Sequence, residues 1–329
     1  MLRLTILKII LLFALPSSCI AQSQFAKYDF IVAKDGSGNF KSVQDAVNAV
    51  PDLRKNRTII FIKNGTYKEK LTLAPTKTNI SFVGESAEKT ILTYDDYAQK
   101  KNIFGEEIGT SGSSSIFIYG DGFTAENITF ENSSGPVGQA VAVRVDGDQA
   151  AFKNCRFLGF QDTLYPHGEK SRQYYLNCYV EGTVDFIFGW STAVFDSCTI
   201  FGKQAGFFTA ASTLPETKYG FVFLNCKVTG DAPADSFYLG RPWRPFAKTV
   251  FINCFLDKIV NPKGWHNWNK PDAEKTSFYA EYKNLGPGAK INSRVSWSHQ
   301  LTDDEVKEYT IGNIFRDWIP KFIDGRSEK

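Results

Sequence analysis

The chain has 329 residues, 43% of them hydrophobic and 15% aromatic, which is enough to bury a sizeable core. Its 38 basic and 35 acidic residues give a formal net charge of +3, and this near balance leaves no basic footprint for nucleic acid. The length would allow two domains, but all-β folds often run this long as one, and we predict a single domain over residues 22–329.

The first 21 residues have the pattern of a secretory signal peptide. Arg3 and Lys8 accompany a short apolar run, and small residues follow up to Ala21, where we place the cleavage. A lipidated Cys19 is the alternative, although the residues before it match a lipoprotein site poorly. The apolar run is too short to cross a bilayer, so we expect a secreted or extracytoplasmic protein, in a cell wall or periplasm, without a membrane span.

The mature chain begins with one strand and one helix and then becomes almost entirely β. Residues 28–33 alternate like a strand, and Ser42 caps a short helix that Pro51 ends. The apolar residues of this helix fall on one face: Val43, Ala46, Val47 and Val50. From Thr58 onward the chain is a series of short β-rich runs separated by Gly, Asn and Asp, including 58–63, 79–83, 115–119 and 140–145.

One local frame recurs along the β-rich part of the chain. An Asn-Cys or Ser-Cys pair follows an aromatic residue or leucine and precedes an alternating apolar run, at 154–155, 177–178, 197–198, 225–226 and 253–254. Successive cysteines are 23, 20, 28 and 28 residues apart, a period typical of a solenoid. We therefore predict an all-β, right-handed parallel β-helix with short helical caps. The second cap is a helix from the Thr302/Glu305 capping box to about Tyr309, expected to cover the last coil.

The repeat also predicts the state of the cysteines. Several cysteines in an exported protein suggest disulfides, but equivalent positions on successive coils favour five stacked, buried free thiols. A bridge between one neighbouring pair stays open as an alternative. Because no Cys-x-x-Cys or Cys/His ligand spacing occurs, we predict no metal site.

The same register brings two aspartates together. Asp162 lies seven residues after Cys155, and Asp185 lies seven residues after Cys178. If the coils superpose, the two aspartates stand one strand spacing, ~4.8 Å, apart. Two carboxylates at that distance cannot both be comfortably ionised, so the pKa of one should rise. This geometry suits one ionised nucleophile beside one protonated acid.

Further polar and aromatic groups accompany the two aspartates. Gln139 precedes a predicted strand one coil earlier and Gln161 precedes Asp162, and glutamine amides can stabilise an oxyanion without neutralising a nucleophile. Arg241 lies on a stiff Gly-Arg-Pro-Trp turn and could orient a carboxylate, while Trp243 could stack on a sugar ring. Each residue alone has an ordinary structural explanation, but their conjunction indicates a catalytic site.

Five motifs give the chain a resemblance to the pectin methylesterases, a carbohydrate esterase family built on a right-handed parallel β-helix. They occur in the family's order and cover about residues 29–320: Gly65-Thr66-Tyr67-Lys68-Glu69, Gln139-Ala140-Val141-Ala142-Val143, Gln161-Asp162-Thr163-Leu164, Asp185-Phe186-Ile187-Phe188-Gly189 and Leu239-Gly240-Arg241-Pro242-Trp243. The resemblance implies hydrolysis of the C6 methyl ester of galacturonate residues in homogalacturonan, with release of methanol. It also implies no cofactor, methyl-esterified pectin and water as partners, and a monomer.

The resemblance implies a role for each catalytic candidate. Asp185 is expected to be the nucleophile that forms an acyl-enzyme intermediate, oriented by Arg241. Asp162 is expected to protonate the departing methanol and then to activate the hydrolytic water. Gln139 and Gln161 are expected to stabilise the oxyanion, with Gln139 the more central of the two.

The resemblance also implies a sugar-binding cleft lined by Trp243, Phe186 and Tyr165. Two features depart from the family's commonest pattern. Trp190 stands where a small or polar residue is expected, and it either adds a stacking surface or packs a turn. His167 belongs to a slightly longer loop after Tyr165, and we interpret it as a loop residue and not as a catalyst.

Other functions are disfavoured by motifs that the sequence lacks. The Asn-Thr-Asp and Gly-His-Gly signatures of a polygalacturonase are absent, and so is the Gly-x-Ser-x-Gly elbow of a serine esterase. We also find no carboxylate cluster for the calcium of a pectate lyase. A β-helix esterase that acts on another acyl ester and a non-catalytic pectin-binding β-helix remain as alternatives.

Overall fold

The computed structural model describes residues 27–323, so the predicted signal peptide and Cys19 lie outside the described residues. The described chain forms a right-handed parallel β-helix, which confirms the predicted fold. From Thr58 to Leu256, successive strands belong to three sheets in turn, and neighbouring strands within each sheet run parallel.

Sheet A is the longest of the three sheets and has eleven strands. In spatial order they are β1 (Phe30–Val32), β2 (Thr58–Ile62), β5 (Ile80–Gly84), β8 (Thr124–Glu126), β11 (Ala150–Lys153), β14 (Arg172–Leu176), β17 (Thr192–Asp196), β20 (Phe221–Leu224), β23 (Lys248–Ile252), β25 (Phe278–Tyr282) and β26 (His299–Gln300).

Sheets B and C complete the coils. Sheet B contains β3 (Gly65–Lys68), β6 (Thr90–Tyr94), β9 (Thr129–Asn132), β12 (Arg156–Leu158), β15 (Tyr179–Gly182), β18 (Thr199–Gly202), β21 (Lys227–Gly230) and β24 (Phe255–Leu256). Sheet C contains β4 (Leu71–Leu73), β7 (Ile116–Ile118), β10 (Val143–Val145), β13 (Leu164–Pro166), β16 (Ile187–Gly189), β19 (Gly206–Ala211) and β22 (Phe237–Gly240).

The short helices are α1 (Val43–Ala49), α2 (Gly109–Gly112) and α3 (Ile311–Phe315), with 3₁₀ turns at Pro271–Lys275, Ile291–Ser293 and Glu305–Glu308. Helix α1 confirms the predicted N-terminal helix, and the Ser42 hydroxyl accepts a hydrogen bond of 3.1 Å from the Asp45 amide at its start. No helix in the part of the chain described here is long and apolar enough to cross a membrane.

The interior is built from identical positions stacked coil upon coil. In sheet A, one buried aromatic ladder has ring centroids 4.3 to 4.9 Å apart, formed by Phe152, Tyr175, Phe195, Phe223 and Phe251. These offset stacks bury apolar area and fix the vertical register of the coils. A shift of one coil against the next would break the stack between those two coils.

The five cysteines of residues 27–323 are buried and free, as predicted, and they follow sheet A at the corner that leads into sheet B. The residue before each cysteine has a positive φ between 52° and 55°: Asn154, Asn177, Ser197, Asn225 and Asn253. Asparagine tolerates this left-handed conformation better than other non-glycine residues. The recurring Asn-Cys pair is therefore a corner residue followed by an inward-pointing one.

The C-terminal segment contains the predicted capping box. The Thr302 amide donates to Glu305 Oε2 at 2.8 Å, the Glu305 amide donates to Thr302 Oγ1 at 3.2 Å, and the helix that follows is a 3₁₀ turn. Beyond it, Ile314 and Phe315 of α3 pack in an apolar cluster on the outer face of sheet A. Trp297, just upstream of the capping box, packs against Tyr279 and the last buried coil. The helical segment itself lies mainly against the side of the β-helix and not over its end.

Candidate active site

The predicted catalytic residues meet in one cleft on the outer face of sheet C. Gln139, Gln161, Asp162, Asp185 and Arg241 all line this cleft, which has a volume of about 430 Å³. They come from coils that span residues 139–241 of the sequence, so only the stacking of the β-helix brings them together. Among residues 27–323 no group of three or more His, Cys, Asp or Glu side chains could hold a metal ion.

The two aspartates occupy the same corner of successive coils. Asp162 lies between β12 and β13, and Asp185 lies between β15 and β16. The pairing of Leu164 with Ile187 puts the aspartates in register, and the Asp162 amide donates to the Val184 carbonyl at 3.1 Å. Both aspartates have positive φ, 64° and 53°, which is uncommon for non-glycine residues and often found at functional sites.

Arg241 holds Asp185 from two coils further along. Its Nε and Nη2 atoms donate to Oδ1 and Oδ2 of Asp185 at 2.8 and 2.7 Å, a bidentate pair that fixes the carboxylate plane. The guanidinium is itself sandwiched, 3.8 Å from the Phe207 ring and 3.7 Å from the Trp268 ring. Gly240 allows β22 to pack closely against Thr209 of β19, because a Cβ on residue 240 would lie 2.1 Å from Thr209 Oγ1.

The electrostatics differ between the two buried carboxyls. Burial and the charge of Asp185 raise the pKa of Asp162 well above its usual value, and Arg241 opposes this only in part. Burial also raises the pKa of Asp185, but the hydrogen bonds and charge of Arg241 work against that rise. The pair therefore favours one ionised group, Asp185, beside one protonated group, Asp162.

The two glutamines form a rim above the aspartates. Gln139 and Gln161 pair as an isolated parallel bridge, and the Ala140 amide donates to the Gln161 carbonyl at 3.1 Å. Gln99 donates from Nε2 to Oε1 of Gln139 at 3.1 Å, and this leaves the amide hydrogens of Gln139 free for a ligand in the cleft. Residues 108–111 form the adjoining wall of the cleft.

The aromatic lining differs from the prediction at one position. Tyr165 and Trp243 line the cleft as predicted, and Tyr165 stacks on Phe188 with ring centroids 4.1 Å apart. Phe186, predicted to contact the sugar, is fully buried in the interior beside Phe208, so that prediction is wrong. Phe186 lies in the corner before β16, where the strand alternation does not apply, and Phe188 faces the cleft instead.

Several residues in the cleft or in contact with it were not predicted from the sequence. Trp268 packs on Arg241, Gln99 contacts Gln139, and the Ile108–Ser111 segment forms a wall, yet none of them belongs to a recognised motif. Their only sequence signal is general, an indole or amide in a loop between strands. Phe188 could have been predicted as a cleft residue, because it belongs to the same motif as Asp185.

A sequence model of the pectinesterase family matches residues 29–317, nearly all of the described chain. The chain belongs to the pectinesterase family. It is 44% identical over 286 residues to Pectinesterase 31 of Arabidopsis thaliana, covering 84% of this chain and 89% of that protein. It is also 40% identical over 309 residues to Pectinesterase 2 of Citrus sinensis. That match covers 89% of this chain but only 59% of the longer Citrus protein.

Solved structures of pectin methylesterases have the same fold. The carrot enzyme superposes with a TM-score of 0.81 at 36% identity, covering 87% of this chain and 92% of that one. A pectin methylesterase in complex with a hexasaccharide superposes with a TM-score of 0.80 at 32% identity, covering 90% of this chain and 99% of that one. The described coils of this pectinesterase are thus similar to those of the solved pectin methylesterases.

Proposed function

We propose that this pectinesterase hydrolyses the C6 methyl ester of galacturonate residues in homogalacturonan, yielding methanol and acidic pectin. One observation carries the mechanism: Asp185 is clamped by Arg241 directly beside a second buried carboxyl, Asp162, whose pKa is strongly raised. The clamp favours an ionised, oriented nucleophile, and the raised pKa favours a protonated acid at its side.

The first half of the reaction transfers the acyl group to the protein. A carboxylate oxygen of Asp185 attacks the ester carbonyl carbon, and the carbonyl electron pair moves onto oxygen to give a tetrahedral oxyanion. Gln139 and Gln161 donate amide hydrogens to this oxyanion. As the intermediate collapses, the carbon–methoxy bond breaks, Asp162 gives its proton to the methoxy oxygen, and methanol leaves an acyl-aspartyl anhydride.

The second half returns both carboxyls to their starting states. Asp162, now ionised, takes a proton from a water molecule that attacks the acyl carbon of the anhydride. A second tetrahedral oxyanion forms on the same carbonyl oxygen and is again stabilised by the two glutamines. Its collapse breaks the bond to Asp185, which regains its carboxylate, and Asp162 is left protonated. The galacturonic acid group that is released then loses its own proton to solvent.

The aromatic lining supplies the binding surface for the sugar chain. Trp243, Tyr165 and Phe188 present ring faces and edges beside the reacting carboxyls, with Phe188 replacing Phe186 in this role. The proposed substrate agrees with the solved relatives, which are pectin methylesterases. We also propose that the protein acts outside the cytoplasm as a monomer, in keeping with the signal-like sequence of residues 1–21 and an extracellular polymer as substrate.

The decisive experiment measures methanol release from methylated pectin. Asp185→Asn keeps the shape of the side chain but removes the nucleophile, so methanol release should fall to background while the fold persists. Asp196→Asn, which changes a carboxylate on the unrelated sheet A, is the matched control and should retain activity. Near-normal turnover by the Asp185 variant would refute the nucleophile, and wild-type activity on simple acyl esters but not on pectin would refute the substrate.

A further inference from the structure

A row of side chains on sheet C runs beside the catalytic cleft, and none of its members donates, accepts or attacks in the proposed reaction. The register of sheet C aligns the residues of this row on successive coils: Asp146, His167, Trp190, Ser212 and Trp243. Trp243 already lines the cleft, so this row continues from it without a break.

Trp190 and Trp243 form a joint aromatic surface. Their backbones are two coils apart, roughly 10 Å at the usual strand spacing, yet the ring centroids are 6.4 Å apart and the planes lie within 13° of parallel. The two indoles therefore lean together over the small side chain of Ser212. Since Nε1 of Trp190 is buried, the accessible part of this half-buried side chain is all carbon.

His167 supplies a polar atom at the edge of this surface. Its ring centroid is 4.2 Å from that of Trp190, and its Nδ1 lies 2.6 Å from Oδ1 of Asp146. Burial opposes ionisation of Asp146, but His167 and Arg144 together hold its pKa below the usual value. An ionised carboxylate can only accept, so Nδ1 of His167 donates its hydrogen to Asp146. Nη2 of Arg144 is also a donor, and it lies farther from the same nitrogen, at 3.3 Å. Nε2, on the other side of the ring, has no hydrogen-bond partner among residues 27–323 and is left to hydrogen-bond a ligand.

We propose that Trp190, His167 and Trp243 form an additional subsite that binds a further galacturonate ring of the same pectin chain, beyond the ring whose ester is cleaved. The carbon faces of the two indoles suit the C–H face of a pyranose, and Nε2 of His167 suits one of its hydroxyl groups. Trp243 contacts both Tyr165 and Phe188 and so joins this subsite to the catalytic cleft. The inference rests on the proposed function, because it assigns a second position along the same substrate.

The test compares substrates of different length. Methanol release is measured on fully methyl-esterified oligogalacturonates, from the shortest oligomer that is turned over to long ones. Trp190→Ala should raise KM for long oligomers about 3- to 10-fold, the effect of losing one aromatic stacking contact, with KM for the shortest oligomer and kcat unchanged. His167→Phe keeps a ring but removes Nε2, and it should raise KM for long oligomers by a smaller factor. Phe255→Ala, which removes an exposed aromatic ring on sheet B, is the control and should change neither parameter.

Three results would overturn the subsite. They are an unchanged KM at every length in the Trp190 variant, an equal rise at all lengths, and a fall in kcat without a rise in KM. Calorimetric binding of unesterified oligogalacturonates, which are not turned over, should show the same length-dependent loss. If the wild type releases no methanol from any oligomer, the proposed function fails, whereas wild-type turnover with no length effect in the variant contradicts the subsite alone.

Discussion

Replacing Arg241 by Met tests whether the guanidinium keeps the nucleophile ionised. Methionine retains much of the contact with Phe207 and Trp268 but removes both hydrogen bonds to Asp185. The side chains of Arg241 and Asp185 are only 17% and 8% exposed, so solvent cannot replace these bonds. The pKa of Asp185, which burial already raises, should therefore rise further in the variant.

The energetic cost can be estimated from the two bonds. Each hydrogen bond to a charged group contributes about 1.5–3 kcal/mol, and removing one partner of a buried ion pair typically costs about 3–5 kcal/mol. That cost applies only while Asp185 stays ionised. In the variant the folded-state pKa of Asp185 lies above its unfolded value of about 3.9, so stability is retained below that value and lost as the pH rises through the folded-state pKa. The deficit should accordingly be larger at pH 8 than at pH 5.

Denaturant unfolding at both pH values measures the deficit, and methanol release measures the nucleophile. At a fixed pH, kcat should fall about tenfold for each unit by which the pKa of Asp185 exceeds that pH. The double variant with Asp185→Asn removes the buried carboxylate as well, and it should recover most of the lost stability without recovering activity. A deficit that is the same at both pH values, or near-normal turnover by Arg241→Met, would refute the reasoning.

Two further substitutions and one thiol titration test other parts of the site and the scaffold. Asp162→Asn should abolish methanol release yet stabilise the fold, more at pH 8 than at pH 5. The wild-type carboxyl has a raised pKa, so the folded state loses stability as the pH rises through that pKa, and the neutral amide avoids this loss. Equal unfolding free energies of variant and wild type at pH 8 would contradict this. Gln99→Leu should lower kcat about fivefold, the worth of one hydrogen bond, with KM unchanged, whereas a raised KM at normal kcat would show that Gln99 only shapes the cleft wall. The five buried cysteines should all react with Ellman's reagent in the unfolded, unreduced mature protein and none in the folded protein, and any shortfall after unfolding would indicate a bridge.

The fold was predictable because each coil of a solenoid repeats the same pattern of residue types, and this period is visible in the sequence. The Asn-Cys pairs recur because each coil turns the same corner, with a left-handed residue followed by an inward one. The cysteine register then placed Asp162 and Asp185 on successive coils, and the structure confirms that pairing. A long-range arrangement became visible because vertical neighbours in a β-helix are one repeat apart in the sequence.

The residues that were missed lie where this period fails. Phe186 precedes β16 in a corner, and there the direction of a side chain depends on the positive φ of Asp185 and not on alternation. Trp268 and the 108–111 wall come from loops of unequal length between coils, so no repeat position predicts where they lie. Gln99 reaches Gln139 from 40 residues away, through a contact that depends on the path of such a loop.

The stacking of coils that makes the site predictable also buries two carboxyl groups next to each other, which lowers the stability of the fold. Burying Asp162 and Asp185 in a corner of successive coils raises the pKa of both. Arg241 opposes the rise by its hydrogen bonds and charge at Asp185 but by its charge alone at Asp162. A scaffold with regular hydrogen-bonded coils above and below can hold two such groups in place, because neither corner can move without breaking its neighbours' ladders. The reactivity of the pair therefore arises from the rigidity of the β-helix as much as from the chemistry of the two carboxyls.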